Sequence, residues 1–361
     1  NLPDVQQDIG RASALSAKAY LAKALLYQAY EQDELHNVVN INQPKLEEVV
    51  SLVDEIEASG QYGLYDDYAE NFLFEFENGK ESVFAIQRSL NDGSPDGRGA
   101  WSSALNAPMS GGFGCCGFHV PTENFVNAFK TDNAGLPRFS TFNDSVYSVA
   151  NDYVDPRLDH TVAMEGKPFK YDPELIHGGD SWARAPGIYG NYTGMKDLEH
   201  PECDCRGENG PFPIFSLNTV LIRYADVLLW KAEALIELDR WAEATPIINR
   251  LRERAAGSTE RLNGASLYRI GTYDTFDSKA EARQALRWER RVELGLEGHR
   301  FFDLVRWGIA KETIDEYLLT ERGRKPYLED AAFTKNKHEY LPIPNQQINL
   351  SGGIYEQNPG Y

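Results

Sequence analysis

ALRWERRVELGLEGHRFFDLVRWG, Ala285 to Gly308, reads as two helices meeting at Gly298. Ala285, Trp288, Val292 and Leu296 recur at spacings of three and four, which is one face of a helix. After Gly298, Phe301, Leu304, Val305 and Ile309 begin a second such face. Between these apolar positions stand Glu289, Arg290, Arg291, Glu293, Glu297, Arg300, Asp303 and Arg306. A guanidinium is a planar fork that holds a carboxylate through two parallel hydrogen bonds, so such a cluster can fix helices at a set angle. Every carboxylate in it has an arginine within helical reach. The stretch therefore reads as a structural ion-pair junction rather than an active site built on its glutamates.

Helical pairs of the same kind lie upstream. Leu15, Ala19, Ala22, Leu26 and Ala29 form a stripe within 12–30, and small alanines allow close packing of a second helix. That second helix is expected over 44–59, with Pro44 in its first turn, Gly60 at its end, and Leu46, Val49, Val53 and Ile56 inward. Leu221, Ala225, Leu228, Ala232 and Leu235 repeat the stripe, followed by a partner helix over 241–256 with Ala244, Ile247, Ile248 and Leu251 inward. These are helix hairpins of the tetratricopeptide kind. Two pairs alone do not bury a solenoid core, so the 280–310 pair is expected to pack beside them. The fold class is thus mainly α, a helix-hairpin scaffold (10–60 and 219–310) with a loop-rich insertion (61–218) and a C-terminal packing segment (311–361).

The net charge of −19 opposes a nucleic-acid partner, which requires clustered Lys and Arg. It equally opposes an anionic membrane surface. No run approaches the ~18 apolar residues of a transmembrane helix. Four cysteines, Cys115, Cys116, Cys203 and Cys205, suit an oxidising compartment. Cross-pairing between the two sets is one option, and metal binding by Cys203, Cys205 and His200 is another; the CxC spacing is not the usual zinc CxxC, and no metal site is assigned.

The insertion carries a short strand near 83–87 and then a Gly-rich stretch. Gly112, Gly114 and Gly117 match the spacing of a dinucleotide fingerprint, but no strand precedes them closely and Pro121 stands where the phosphate-binding helix would run. No catalytic constellation and no cofactor motif is present. Loops this long in a compact domain usually have a function. Trp101, Phe118 and His119 in the first loop, and Trp182, Tyr189 and Tyr192 in the second, are the candidate ligand-binding residues. The tail from Glu339 is expected to be ordered, because Leu341, Ile343, Ile348 and Tyr361 are too apolar for a free end.

Taken together, the motifs resemble the SusD/RagB family of outer-membrane nutrient-binding lipoproteins. GRASALSAKAYLAKALLY at Gly10, YGLYDDYAENF, ESVFAIQ, VPTENFVNAFKT at Val120, DPRLDHTV at Asp155, LIRYADVLLWKAEAL at Leu221, the stretch from Glu289, LPIP at Leu341 and NPGY at Asn358 occur in family order. Phe125 and Asn127 stand where the family's PTxxLVDAF motif has Leu and Asp. The resemblance implies a non-enzymatic solute-binding protein that captures an oligosaccharide, or in some members a peptide, and delivers it to a SusC-type TonB-dependent transporter. It implies a place on the outer face of the cell outer membrane, with lipid anchoring through an N-terminal cysteine not present in this chain. Family members carry further helices before the Gly10 motif, so this chain is expected to correspond to the larger C-terminal part of such a protein. Other readings are an all-helical glycosidase, for which Asp96, Asp180 and Glu123 are the candidate carboxylates, and a tetratricopeptide adaptor, which the long loops disfavour.

Overall fold

The computed structural model describes residues 2–93, 98–210 and 212–361. In chain order its helices begin with α1 (Ala14–Ala29) and α2 (Gln43–Ala58). Four short ones follow: α3 (Trp101–Asn106), α4 (Glu123–Asn127), α5 (Arg157–Thr161) and α6 (Pro186–Tyr189). The long α7 (Tyr224–Glu237), α8 (Trp241–Gly257) and α9 (Lys279–Glu293) come next. The chain then forms α10 (Arg300–Arg306), α11 (Ala310–Arg324) and α12 (Asn345–Leu350). Among the described residues, every sheet has two or three short strands.

The helices start where side chains can accept from orphan backbone donors. Ser13 caps α1, Asn42 caps α2 and Ser278 caps α9, each accepting from an amide three residues on. The expected stripes are buried: Leu15, Ala19, Ala22, Leu26 and Ala29 on α1 face Leu46, Val49, Val53 and Ile56 on α2. α7 is the central element. Nearly all of its residues are buried, as expected for a helix apolar on every side, and it packs against α1, α2, α8 and α9. One boundary differs from the sequence reading. Leu221 is not on α7 but in the strand Thr219–Arg223, which pairs antiparallel with Ser82–Ile86 and ties the insertion to the scaffold.

The junction at Gly298 is built as an ion-pair network, but its partners are mostly distant in sequence. Arg157 reaches Asp155 at 2.6 Å and Glu293 at 2.8 Å, and also holds Glu289. Arg223 reaches Glu81 at 2.7 Å and Glu293 at 3.1 Å. Arg252 pairs with Glu289, and Arg254 with Glu293 and Glu81. A second knot joins Arg290 to Asp226 and Asp303, and Arg306 to Asp303 and Glu233. Burial pushes the Glu293 carboxyl up, but Arg254, Arg223 and Arg157 more than offset this and hold it well below the usual carboxylate range. Arg300, expected to belong to this network, makes no salt bridge among the described residues; it begins α10 and lines a groove described below.

Two smaller cores sit beside the main one. Phe113, Phe169, Trp182, Met195 and Phe215 form one, and Val126, Phe129, Val154, Leu158 and Val292 the other. Each cysteine set pairs within itself, Cys115 with Cys116 and Cys203 with Cys205, which corrects the cross-paired option. His200 bonds Asp172, and sulfurs joined in a disulfide offer no thiolate to a metal. The tail is ordered by its own hydrogen bonds: Gln357 brackets the Ile343 backbone, and Asn358 donates to the Leu341 carbonyl. Its apolar side chains are nevertheless largely on the surface, with Leu341 82% and Ile354 81% exposed. The turn-rich tail satisfies its backbone locally and has no core beneath it to enter. No helix among the described residues is long and apolar enough to cross a membrane.

Candidate functional site

A cavity of about 350 Å³ opens where the insertion meets the scaffold. One wall is the pair of 3-10 turns Tyr68–Phe72 and Phe74–Phe76, followed by Glu77 and Asn78. Opposite stand Ser102 and Asn106 of α3, with His119 from the loop after it. Asn218, Thr219 and Arg223 come from the strand that leads into α7. Lys196, Asp197 and Glu297 close the floor. Glu297 reaches the floor because the chain reverses at Leu296 (φ 65°) and Gly298 (φ 84°), a left-handed conformation that glycine adopts without steric cost.

The floor is charged but internally matched. Glu297 accepts from Arg223 at 2.8 Å and from Lys196 at 2.7 Å. Burial raises Glu297, yet Arg223 and Lys196 bring it down to about 2. Burial lowers Lys196 to about 8, and its ammonium lies 4.8 Å from the centre of the Phe72 ring. Asp197 accepts from the Asn106 side chain, and Glu77 accepts from the Asn218 backbone amide. Burial raises both carboxyls, Glu77 to about 7. Around these matched charges the lining is polar: Ser102 and the His119 ring, with Asn106, Asn78 and Thr219, whose side chains also bond Asp197, Gln87 and Arg88.

Helix α3 sets the rim. Ser103 and Ala104 bury it against the strand Phe212–Phe215, and the Ala100 amide donates to the Phe215 carbonyl at 2.7 Å. This leaves Trp101 and Leu105 exposed one position away from the cavity-lining Ser102 and Asn106. The Gly-rich loop then folds back on the helix. The amides of Cys116 and Gly117 donate to the Ala107 carbonyl, and that of Phe118 to the Leu105 carbonyl at 3.0 Å. Gly117 allows this return, because its φ is +68° and a Cβ there would lie 2.8 Å from that of Arg184. The loop follows a helix rather than a strand, in keeping with the rejection of the dinucleotide fingerprint.

The six candidate residues divide in two. His119 lines the cavity, while Trp101 (48% exposed) and Phe118 (46% exposed) stand next in sequence to the lining residues Ser102 and His119 without lining it themselves. Phe212 meets Trp101 edge to face, and the Arg184 guanidinium covers Phe118 at 4.4 Å. The second-loop residues lie elsewhere. Trp182 is only 5% exposed; its ring packs on Phe113, Phe169 and His177, so it is a core residue and not a ligand platform. Tyr189 leans on Tyr327, and Tyr192 is half-buried against the third core, near Glu123. Of the glycosidase carboxylates, Asp180 accepts from Asn191, Glu123 pairs with Arg324, neither lines the cavity, and Asp96 lies outside the described residues. Sequence reasoning did not find Glu77, Asp197, Lys196 or Asn218. Glu77, the adjacent Lys196 and Asp197, and Asn218 come from three separate segments, brought to the cavity only by the tertiary fold.

Comparison with known proteins places this geometry. The model of the SusD family matches residues 80–361. The chain is 32% identical over 147 residues to SusD-like protein P2 of Formosa agariphila, a match covering 40% of this chain and 26% of that protein. Its fold resembles a SusD superfamily protein from Bacteroides vulgatus, with a TM-score of 0.65 and 23% identity over 100% of this chain and 65% of that one. It also resembles a laminarin-binding SusD-like protein, with a TM-score of 0.63 and 23% identity over 100% of this chain and 66% of that one. At such identities the structural likeness shows the fold alone. The chain thus spans about two thirds of these solved structures, its match covers a smaller part of the P2 sequence, and it belongs to the SusD family.

Proposed function

We propose that this chain binds an oligosaccharide at the α3 cavity, as part of a cell-surface protein that passes it to a SusC-type TonB-dependent transporter in the outer membrane. The observation that carries the reading is a polar cavity flanked in sequence by the half-exposed rings of Trp101 and Phe118. A sugar presents hydroxyls at its edge and C–H groups on its faces, which matches that combination. The family's membership and the laminarin-binding neighbour support the same ligand class.

A peptide ligand, the alternative within the family, would call for free charges to meet its termini and side chains. The floor charges are instead taken up by one another: Lys196 and Arg223 by Glu297, and Arg223 also by Glu81 and Glu293. A hydrolytic reading draws on Glu77 and Asp197, two carboxyls raised by burial in one cavity. Each is engaged by a neighbouring amide, and the reading here is binding without turnover. A binding screen of the purified chain against neutral oligosaccharides, with reducing ends assayed in parallel, tests both statements. Retention of at least one glycan without new reducing ends is expected. Failure to bind any glycan while binding peptides, or release of reducing ends, would overturn the proposal.

A further inference from the structure

The interior arginines of this protein are matched to carboxylates, yet one face of α9 departs from that rule. Arg287, Arg291 and Arg300 make no salt bridge among the described residues. Arg287 lies over the Trp307 ring at 4.9 Å, and Arg291 donates to the Asn124 side chain at 2.6 Å while lying 5.2 Å from the Trp288 ring. An open groove of about 400 Å³ runs along this face, lined by Ala280, Arg283, Gln284, Arg287, Trp288 and Arg300. Arg283 is occupied by Glu237. The nearby acids are spoken for or distant: Asp303 is held by Arg290 and Arg306, and Glu316 acts on Arg291 without a contact within salt-bridge range. Burial, together with Arg287 and Arg290, lowers Arg300 to about 10 despite the attraction of Asp303; burial and Arg300 lower Arg291 to about 9. Positive charge is therefore concentrated, without a counter-ion, in a protein whose net charge is −19.

We propose that the groove between α9 and the start of α10 is a second binding site, which takes an anionic saccharide. Its carboxylate or sulfate oxygens are held by Arg287 and Arg300, and its ring lies against Trp288. A guanidinium fork matches two oxygens of either anion. The groove is much larger than an isolated oxyanion needs, and Trp288, held in place by Phe139, Phe142 and the Ala128 carbonyl, lines it beside the charges and offers an apolar surface to a sugar. The site is separate from the α3 cavity, with which it shares no lining residue. It does not depend on the cavity reading.

Isothermal titration of the whole chain tests it with three probes: a glucuronate-containing oligosaccharide, a glucose oligosaccharide of the same length, and glucose 6-sulfate, with inorganic sulfate as the bare anion. The acidic sugars should bind, the neutral one should not compete with them, and binding should weaken as sodium chloride is raised. Of the two acidic probes, the tighter identifies which anion the forks prefer. Arg300→Gln should weaken binding at least tenfold with an unchanged melting temperature, Arg300→Lys should weaken it less, and Trp101→Ala should leave it unchanged. Inorganic sulfate binding as tightly as the acidic sugars would overturn the saccharide assignment. Acidic and neutral sugars binding alike to the Trp101→Ala, Phe118→Ala double variant, in which the α3 cavity is silenced, or full affinity in both Arg287→Gln and Arg300→Gln, would overturn the site itself.

Discussion

The Arg157 guanidinium lies 2.8 Å from the Glu293 carboxylate across 136 positions of sequence. Glu293 is fully buried and also receives Arg223 and Arg254, so it is the point where the insertion, the strand leading into α7, α8 and α9 are joined. Removing one partner of a buried ion pair leaves the other charge desolvated and unpaired, at a cost of about 3–5 kcal/mol. Glu293→Ala should accordingly lower the melting temperature sharply. Arg300→Ala, at the unmatched groove, should change stability by less than about 1 kcal/mol. Equal losses from the two substitutions in thermal denaturation would refute this division.

The same network sets the acid limit of the fold. Glu297 has a folded pKa of about 2 against an ordinary value of 4.5, so the folded state favours its ionised form. That contribution is fully present above about pH 4.5 and is lost as pH falls through about 2; Glu293, also depressed, acts in the same direction. Stability followed by denaturant titration should fall steeply over that window. Glu297→Gln should flatten the fall, and an unchanged slope in that variant would contradict the assignment.

Glu77 works in the opposite sense. Its folded pKa is raised to about 7, so between about pH 4.5 and 7 the native state binds a proton that the unfolded chain has released. Its contribution to stability therefore declines as pH rises through that interval. Glu77→Gln should remove this decline, so that the variant gains on the wild type in melting temperature between pH 5 and pH 8. A gain at pH 5 that vanishes at pH 8 would show the sign to be wrong.

Much of the scaffold was legible because helical periodicity is local. The stripes on α1, α2 and α8 and the break at Gly298 are written at spacings of three and four. The charged cluster was legible as structural, but not its partners: Arg157, Arg223 and Arg254 sit in other motifs, and only packing brings them to Glu293. Within the loops, Trp101 and Phe118, which are half-exposed, could not be told in sequence from Trp182, which is buried. All three are aromatic residues near glycines. What separates them is whether a neighbouring core accepts the ring, and Phe113 and Phe169 accept that of Trp182.

That distinction is itself testable. Trp182→Ala deletes a large ring from the second core and should cost about 3–5 kcal/mol of stability. Trp101→Ala removes a half-exposed ring from the rim and should leave the melting temperature within a few degrees. If Trp182→Ala proved as stable as the wild type, the ring would not have the packing role assigned to it.

The central claim is that the α3 cavity and its aromatic rim bind glycan. It is tested most directly by isothermal titration of the whole chain with the neutral oligosaccharide it retains best, comparing the wild type with Trp101→Ala, Phe118→Ala and Asn106→Ala. Each substitution is predicted to weaken binding about tenfold or more with the fold intact, and Trp101→Ala with Phe118→Ala to abolish it. Unchanged affinity in all three folded variants would contradict the account.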